Sequence, residues 1–287
     1  MKKLGPVLFA AVLLAGCAAP PMMQPAPLLQ ATPASAPHTP GKTEVLWLGQ
    51  SATRITTPGG KVIVIDPWLT TNPKTPANFK DLAALGKVDL ILVTHAHFDH
   101  FQDAPALANM NKAPIVSSQG LNSSLITLGL VPPELAFRMG KSGTASPIPG
   151  IKISPVHAEH DSELVYTNPA TSKRETHPGG EPVGYIIEME NGFKIWHTGD
   201  TGVFSDMRLI AEMHKPDVVM LPIGGHFVMN PNDAAMVVRE WIRPKYAFPI
   251  HYGTTPQLAG TPAQFKAALG NSPVQMLVVD PGQKVEF

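Results

Sequence analysis

A chain of 287 residues, 44% hydrophobic and 15% charged, can bury one large core or two smaller ones. The formal net charge is zero, and −2 once Lys2 and Lys3 are set aside, so nothing foreshadows a basic surface for a nucleic-acid polyanion. The single cysteine, Cys17, excludes an internal disulfide and a thiolate metal cage.

Lys2-Lys3, an apolar run from Leu4 to Ala15 and the small residues before Cys17 have the order of a secretory leader, too short to serve as a permanent membrane span. Leu14-Ala15-Gly16-Cys17 resembles a bacterial lipobox. That resemblance implies a signal peptide over 1–16, lipidation of Cys17 and a lipoprotein of the bacterial cell envelope. Ala18 resembles the sorting signal for the outer membrane, facing the periplasm. Residues 17–43 are rich in Pro and Ala, which favours an extended polyproline-like tether; His38 within it is expected to be inert. The folded domain is expected over 44–287.

That domain opens with paired strands at Val45–Leu48 and Arg54–Thr56, then a Gly59-Gly60 turn and a strand over 61–67. A short helix over 81–85 and a buried strand over 89–93 follow. Asp103 is expected to cap a helix over 104–109, with Pro105 in its first turn. A strand over 114–117, a helix over 121–128 and a strand over 151–154 come next. Residues 166–184 read as a long irregular loop. Asn191-Gly192 signals a hairpin between strands over 183–189 and 193–197. Helices are expected over 206–214, 232–241 and 262–269, with strands over 217–222, 246–251 and 274–279. Hairpins at the start and in the middle, with strand-helix-strand units between, predict two mixed sheets packed face to face with helices outside.

The chemistry concentrates in Thr94-His95-Ala96-His97-Phe98-Asp99-His100, with three His and one Asp within six positions. In extended backbone His95 and His97 leave the same face, while Asp99 and His100 follow where the chain turns. The pattern offers one pair of ligands to one ion and a second pair to a neighbour. Asp200 in Gly199-Asp200-Thr201 and His251 after a strand are weak signals alone.

Together these residues resemble the metallo-β-lactamase superfamily: His95-x-His97-x-Asp99-His100, then His160, the Gly199-Asp200-Thr201 turn and Pro249-Ile250-His251. Ile65-Asp66-Pro67, Thr198–Gly202 and Leu221–Phe227 further resemble the UPF0173 metal-dependent hydrolases, relatives of ascorbate-phosphate lactonase and N-acyl-phosphatidylethanolamine phospholipase D. The resemblance spans Glu44 to the carboxyl end. It implies an αββα four-layer sandwich with His95, His97 and His160 on a first metal, Asp99, His100 and His251 on a second, and Asp200 bridging them. His157 lies three residues from His160, but the family's ligand precedes a small polar pair, which selects His160. Imidazoles and carboxylates suit two divalent ions, zinc foremost, with manganese or iron as alternatives. Two cations would make hydroxide available near neutral pH from a water shared between them.

The remaining polar residues have subordinate expected roles. Asp66 would orient a ligating imidazole. His157 would be a pocket or supporting residue, and His226 either a substrate contact or a packed side chain. His197 is expected behind the ligands, His177 and His214 in solvent, and Trp47, Trp68, Trp196 and Trp241 in the core. Asp99 would handle the nucleophile's proton besides binding metal. The expected function is dinuclear hydrolysis of an ester, lactone or phosphodiester, on a small-molecule or lipid substrate. A phospholipid-directed hydrolase and a non-catalytic metal-binding lipoprotein are the alternatives.

Overall fold

Two of four residues in the run Val62–Ile65 face each side of their sheet. Ile63 and Ile65 pack into a core between two sheets, whereas Val62 and Val64 pack beneath helices on the outer face. The strand is therefore apolar on both faces and cannot show alternation. Leu90–Leu92 and Val218–Pro222 divide in the same way between the central core and the two outer ones.

These elements come from a computed structural model that describes Met1, Thr32, Pro33 and residues 40–287. In chain order they are β1 (Thr32–Pro33), β2 (Glu44–Gly49), β3 (Ala52–Thr56), β4 (Val62–Ile65), β5 (Leu90–Leu92), α1 (Phe98–Phe101), α2 (Ala104–Asn111), β6 (Ile115–Ser118), α3 (Gln119–Thr127), β7 (Ala136–Met139), β8 (Ala145–Ile148) and β9 (Ile151–His157). The second half holds β10 (Glu163–Thr167), β11 (Arg174–Pro178), β12 (Val183–Glu188), β13 (Lys194–His197), α4 (Met207–His214), β14 (Val218–Pro222), α5 (Pro231–Met236), β15 (Tyr246–Ile250), α6 (Pro262–Leu269), β16 (Gln275–Met276) and β17 (Gln283–Glu286).

Among the described residues one sheet has eight strands in the order β1-β17-β2-β3-β4-β5-β6-β7 and the other seven, β16-β15-β14-β13-β12-β9-β8. The central core joins the sheets' inner faces. A second core lies under α1 to α3 and a third under α4 to α6. This is the expected sandwich of two mixed sheets with flanking helices. The strands β4 to β7 are mutually parallel, as are β13 to β16, so their C-terminal ends gather along one edge.

Several local expectations are corrected. The supposed loop over 166–184 is largely a hairpin, β10 and β11, in register from Glu163 opposite Pro178 to Thr167 opposite Arg174. Leu164 is buried in the core under the helices and burial alternates along both strands, but polar Glu175 and His177 occupy the inner positions of β11, so no apolar alternation announces it. Asp103 does not cap α2; its carboxylate accepts from the Leu69 and Thr70 main-chain N–H groups at 2.6 and 3.0 Å and from the Thr70 hydroxyl at 2.8 Å. The helix expected over 232–241 is α5 followed by a π-helical stretch over Val237–Ile242. The turn at 82–85 is a 3-10 helix, and the strand expected over 274–279 is only β16. The strands β1, β7, β8 and β17 were not anticipated; β1 lies within the stretch expected to be a tether and pairs with β17. Trp241 is half-buried beneath Arg208 rather than in the core, and His177 and His214 are half-buried rather than free in solvent. The leader, Cys17 and His38 lie outside the described residues.

Candidate metal centre

The ligand-bearing segments leave strand ends along the shared edge. His95 follows β5, His160 follows β9, Asp200 follows β13 and His251 follows β15. Two contacts fasten the sheets there. The Val183 N–H donates to the Thr94 carbonyl at 3.0 Å, and the fully buried Tyr185 hydroxyl reaches the carbonyls of Val93 and Val116 at 2.8 and 3.1 Å. Gly199 permits this approach: at φ +64° its Cβ would stand 2.8 Å from the Val183 carbonyl oxygen and 2.9 Å from Thr94 Cβ.

Five imidazoles and two carboxylates converge. Donor atoms lie within 4.8 Å of one another in each of three groups: His95/His97/His160, Asp99/His100/His251 and His95/His100/Asp200. Ring centroids of neighbouring His residues are 4.0 Å apart for His95 and His100, 4.6 Å for His95 and His97, and 5.0 Å for His95 and His160. Asp200 Oδ2 stands between the outer groups, 3.7 Å from His160 Nε2, 3.3 Å from His100 Nε2 and 2.9 Å from His251 Nε2. The seven residues that the sequence marked as ligands are thus brought together.

These residues suit divalent cations. His100 Nε2 and Asp200 Oδ1 are buried without a hydrogen-bond partner, an arrangement that costs free energy unless something else satisfies them. Nitrogen and oxygen donors without thiolate fit zinc, manganese or iron.

The charges are interlocked. Burial works against charge on His100, but Asp200, Asp66 and Asp99 outweigh it and hold the imidazole well above its usual value. His251 is likewise opposed by burial, yet Asp200 and Asp99 raise it to about 9. Burial, with His100 nearby, pushes His95 well below its usual value and also lowers His160. Asp99, despite burial, is held at about 2 by His100 and His251. The same two imidazoles keep Asp200 well below the usual carboxylate range against its own burial.

Behind the cluster, Asp66 is fully buried; it accepts from the Thr94 N–H at 2.8 Å and hydroxyl at 2.7 Å, and its Oδ2 lies 2.8 Å from His100 Nδ1. His197 is buried between the Ser51 carbonyl and the Gly199 N–H. His157 stays outside the cluster, with its ring edge-on to Phe204 and Nε2 3.2 Å from Glu159 Oε2. His226 is exposed rather than packed inside, with its ring edge-on to Phe227 at 4.3 Å between centroids. It sits in the segment after β14, between the strand ends that carry Asp200 and His251.

Three contributors escaped the sequence reading. Glu163, at the start of β10, brings its Oε2 3.3 Å from His97 Nε2. Ser162 beside it ties the hairpin to the ligand loop, accepting from the Ala96 N–H at 3.2 Å and donating to the Gly179 carbonyl at 3.0 Å. Gln50 is 2% exposed, and its side-chain nitrogen lies 2.8 Å from Asp99 Oδ2 and 2.7 Å from His251 Nε2. A polar turn between two buried strands was the available signal. Of nine non-glycine residues with positive φ among the described residues, Gln50, Asp66, His226 and His251 belong to this region; Lys112, Lys215 and Arg243 merely end helices. Strain of this kind gathers at functional sites.

Comparison with known proteins agrees with this arrangement. The profile of the beta-lactamase superfamily domain matches residues 44–251. A UPF0173 metal-dependent hydrolase from Cupriavidus necator is 63% identical over 292 aligned positions, covering 100% of both chains. The solved structure of Igni18, a metallo hydrolase from the hyperthermophilic archaeon Ignicoccus hospitalis, has a TM-score of 0.73 at 30% identity, covering 86% of this chain and 98% of that one. The metallo-beta-lactamase fold protein YhfI from Bacillus subtilis shares the fold at a TM-score of 0.63 and 13% identity, covering 86% of this chain and 100% of that one. With its His and Asp side chains gathered as a metal site, this chain belongs to the UPF0173 metal-dependent hydrolases of the metallo-β-lactamase superfamily.

Proposed function

We propose that the centre is dinuclear and that the enzyme hydrolyses an ester, lactone or phosphodiester. The observation that carries this reading is the position of Asp200 Oδ2, within 3.7 Å of ring nitrogens from both outer groups. His95, His97 and His160 would hold one ion, Asp99, His100 and His251 the other, and Asp200 would belong to both. Two bound divalent ions, zinc foremost with manganese or iron as alternatives, would acidify a water shared between them and polarise the scissile carbonyl or phosphoryl oxygen. Asp99 would hold the nucleophile's proton at the carboxylate that faces His251. Asp66 fixes the His100 ring by engaging Nδ1, leaving Nε2 for the centre. His226, exposed in the segment between the strand ends that carry Asp200 and His251, would contact the oxyanion as charge develops there. The chain purified without added metal would be subjected to elemental analysis, then tested on a panel of esters, lactones and phosphodiesters. Two ions and turnover of at least one class are expected; two ions with no turnover across the panel would refute the reading.

A phospholipid-directed version is favoured by Phe98, 64% exposed between His97 and Asp99, and by Phe227, 56% exposed beside His226. Such rings beside a centre can enter a bilayer surface, and an anchor at Cys17 would hold the domain near one. Activity should then rise on lipid vesicles and fall in Phe98→Ser and Phe227→Ser. If Cys17 carries that anchor in the envelope, Cys17→Ser should move the protein from the membrane fraction to the soluble one. Neutral overall charge supports a substrate other than nucleic acid.

A further inference from the structure

Gln50 touches the centre differently from the other polar residues around it. Asp66 engages His100 at Nδ1, whereas Nε2 is the ring atom turned toward Asp99 and Asp200. The Gln50 amide instead meets the atoms turned inward, Oδ2 of Asp99 at 2.8 Å and Nε2 of His251 at 2.7 Å. Those two atoms are 3.4 Å apart. His100 Nε2 is 3.7 Å from Asp99 Oδ2 and 3.3 Å from Asp200 Oδ2, and His251 Nε2 is 2.9 Å from Asp200 Oδ2. Donor atoms about 2.1 Å from one ion, at octahedral or tetrahedral angles, lie roughly 3.0–3.4 Å apart. The Asp99–His251 and His100–Asp200 separations fall in that range; the Gln50 amide, at 2.8 and 2.7 Å, stands slightly inside it, so a shift of a few tenths of an ångström would bring it to ligand-to-ligand spacing.

Which amide atom faces inward is set by the bonding partners, because oxygen and nitrogen are nearly identical in shape. His251 Nε2 has one in-plane lone pair. An amide N–H and a cation cannot both take it, and an N–H aimed at a cation is repelled. In the structure Nε2 faces the two inward atoms and Oε1, at the other end of the amide, is buried without a hydrogen-bond partner; turning the amide over exchanges the two and presents to a cation the half that it attracts. The main chain holds the side chain in place: the Gln50 carbonyl accepts from the His251 N–H at 3.0 Å and from Trp47 Nε1 at 3.0 Å, and φ is +54°.

We propose that Gln50, through Oε1, is a ligand of the second metal subsite, completing a cage with Asp99, His100, His251 and Asp200. This rests on the dinuclear reading above. The two subsites then differ in kind. The first has three imidazoles and a shared carboxylate; the second gains a neutral hard oxygen, which shifts its preference toward manganese or iron relative to the first.

The full chain, stripped with a chelator and titrated with Zn²⁺ and with Mn²⁺ by calorimetry, tests this without recourse to activity. Wild type should take up two ions. Gln50→Ala should keep the first and bind the second about tenfold or more weakly, and Gln50→Glu should recover it. Gln50→Asn tolerates the positive φ but is one methylene too short, so it should match the alanine variant. First-ion binding reports that each variant is folded. Unchanged or tighter second-ion binding in the alanine and asparagine variants would overturn the assignment, a rise meaning that the amide competes with the ion. Loss of both ions would also overturn it. A single ion at saturation in wild type would instead fell the dinuclear reading, and the assignment with it.

Discussion

Asp66 Oδ2 lies 2.8 Å from His100 Nδ1, and neither side chain is exposed to solvent. A carboxylate there selects the His100 tautomer whose Nε2 is free to bind, and it stabilises charge on a ring that burial would otherwise keep neutral. Asn at position 66 keeps the shape and tolerates φ +46°, but it removes the charge. Asp66→Asn is therefore expected to fold and to lose about 10- to 100-fold in metal affinity, read by competition with a chelator. Unaltered affinity would show that the carboxylate serves only the fold.

His157 and His160 separate cleanly. His160 belongs to a three-residue donor group, whereas the His157 side chain is 41% exposed and engages Glu159. His160→Ala should lose one ion by elemental analysis. His157→Ala should keep both ions and shift stability by less than about 0.5 kcal/mol.

Chelator-stripped protein should have a stability maximum near pH 6.5, the ordinary imidazole value. His100 and His251 are raised in the fold, so their contribution is complete below that value and is lost as pH climbs, for His251 through about 9. His95 and His160 are lowered, so their contribution is present above it and is lost as pH falls toward their folded values. Asp99, held at about 2, adds its own loss only in stronger acid. A Tm-against-pH curve should therefore fall on both sides. Added metal, which replaces the protons on His100 and His251, should flatten the alkaline limb. A stripped protein with no alkaline limb would contradict the raised imidazoles.

Gly199→Ala should cost about 1–3 kcal/mol, because a Cβ would meet the Val183 carbonyl and Thr94 at φ +64°. Each kcal/mol lowers Tm by roughly 2–4 °C in a domain of this size. Metal affinity should fall with it, since Asp200 is the next residue and Thr94 precedes His95.

The His and Asp cluster was legible because the motif is local at its centre. His95, His97, Asp99 and His100 need only a strand end and one turn to face the same region. The resemblance then supplied His160, Asp200 and His251, and the fold brings all seven together. The β10–β11 hairpin was illegible for the opposite reason: burial alternates along both strands, but residue type does not follow it, since Val165 is exposed while Glu175 and His177 take the half-buried positions. Asp103 shows the same limit. An acidic residue before a helix reads as a cap, yet Leu69 and Thr70 offer their main-chain N–H groups from across the fold.

By itself the sequence determined the alternation of buried strands and helices, the two-sheet architecture and the residue types at the centre. These depend on apolar burial and on neighbours a few positions apart. Tertiary structure decided what lies against what: Asp66 behind His100, Glu163 beside His97, Gln50 on the inward atoms of Asp99 and His251, and His226 in solvent. Gln50 and His251 are 201 positions apart. No local periodicity encodes a contact of that range; it arises when two sheets bury a common core and their strand ends meet at one edge.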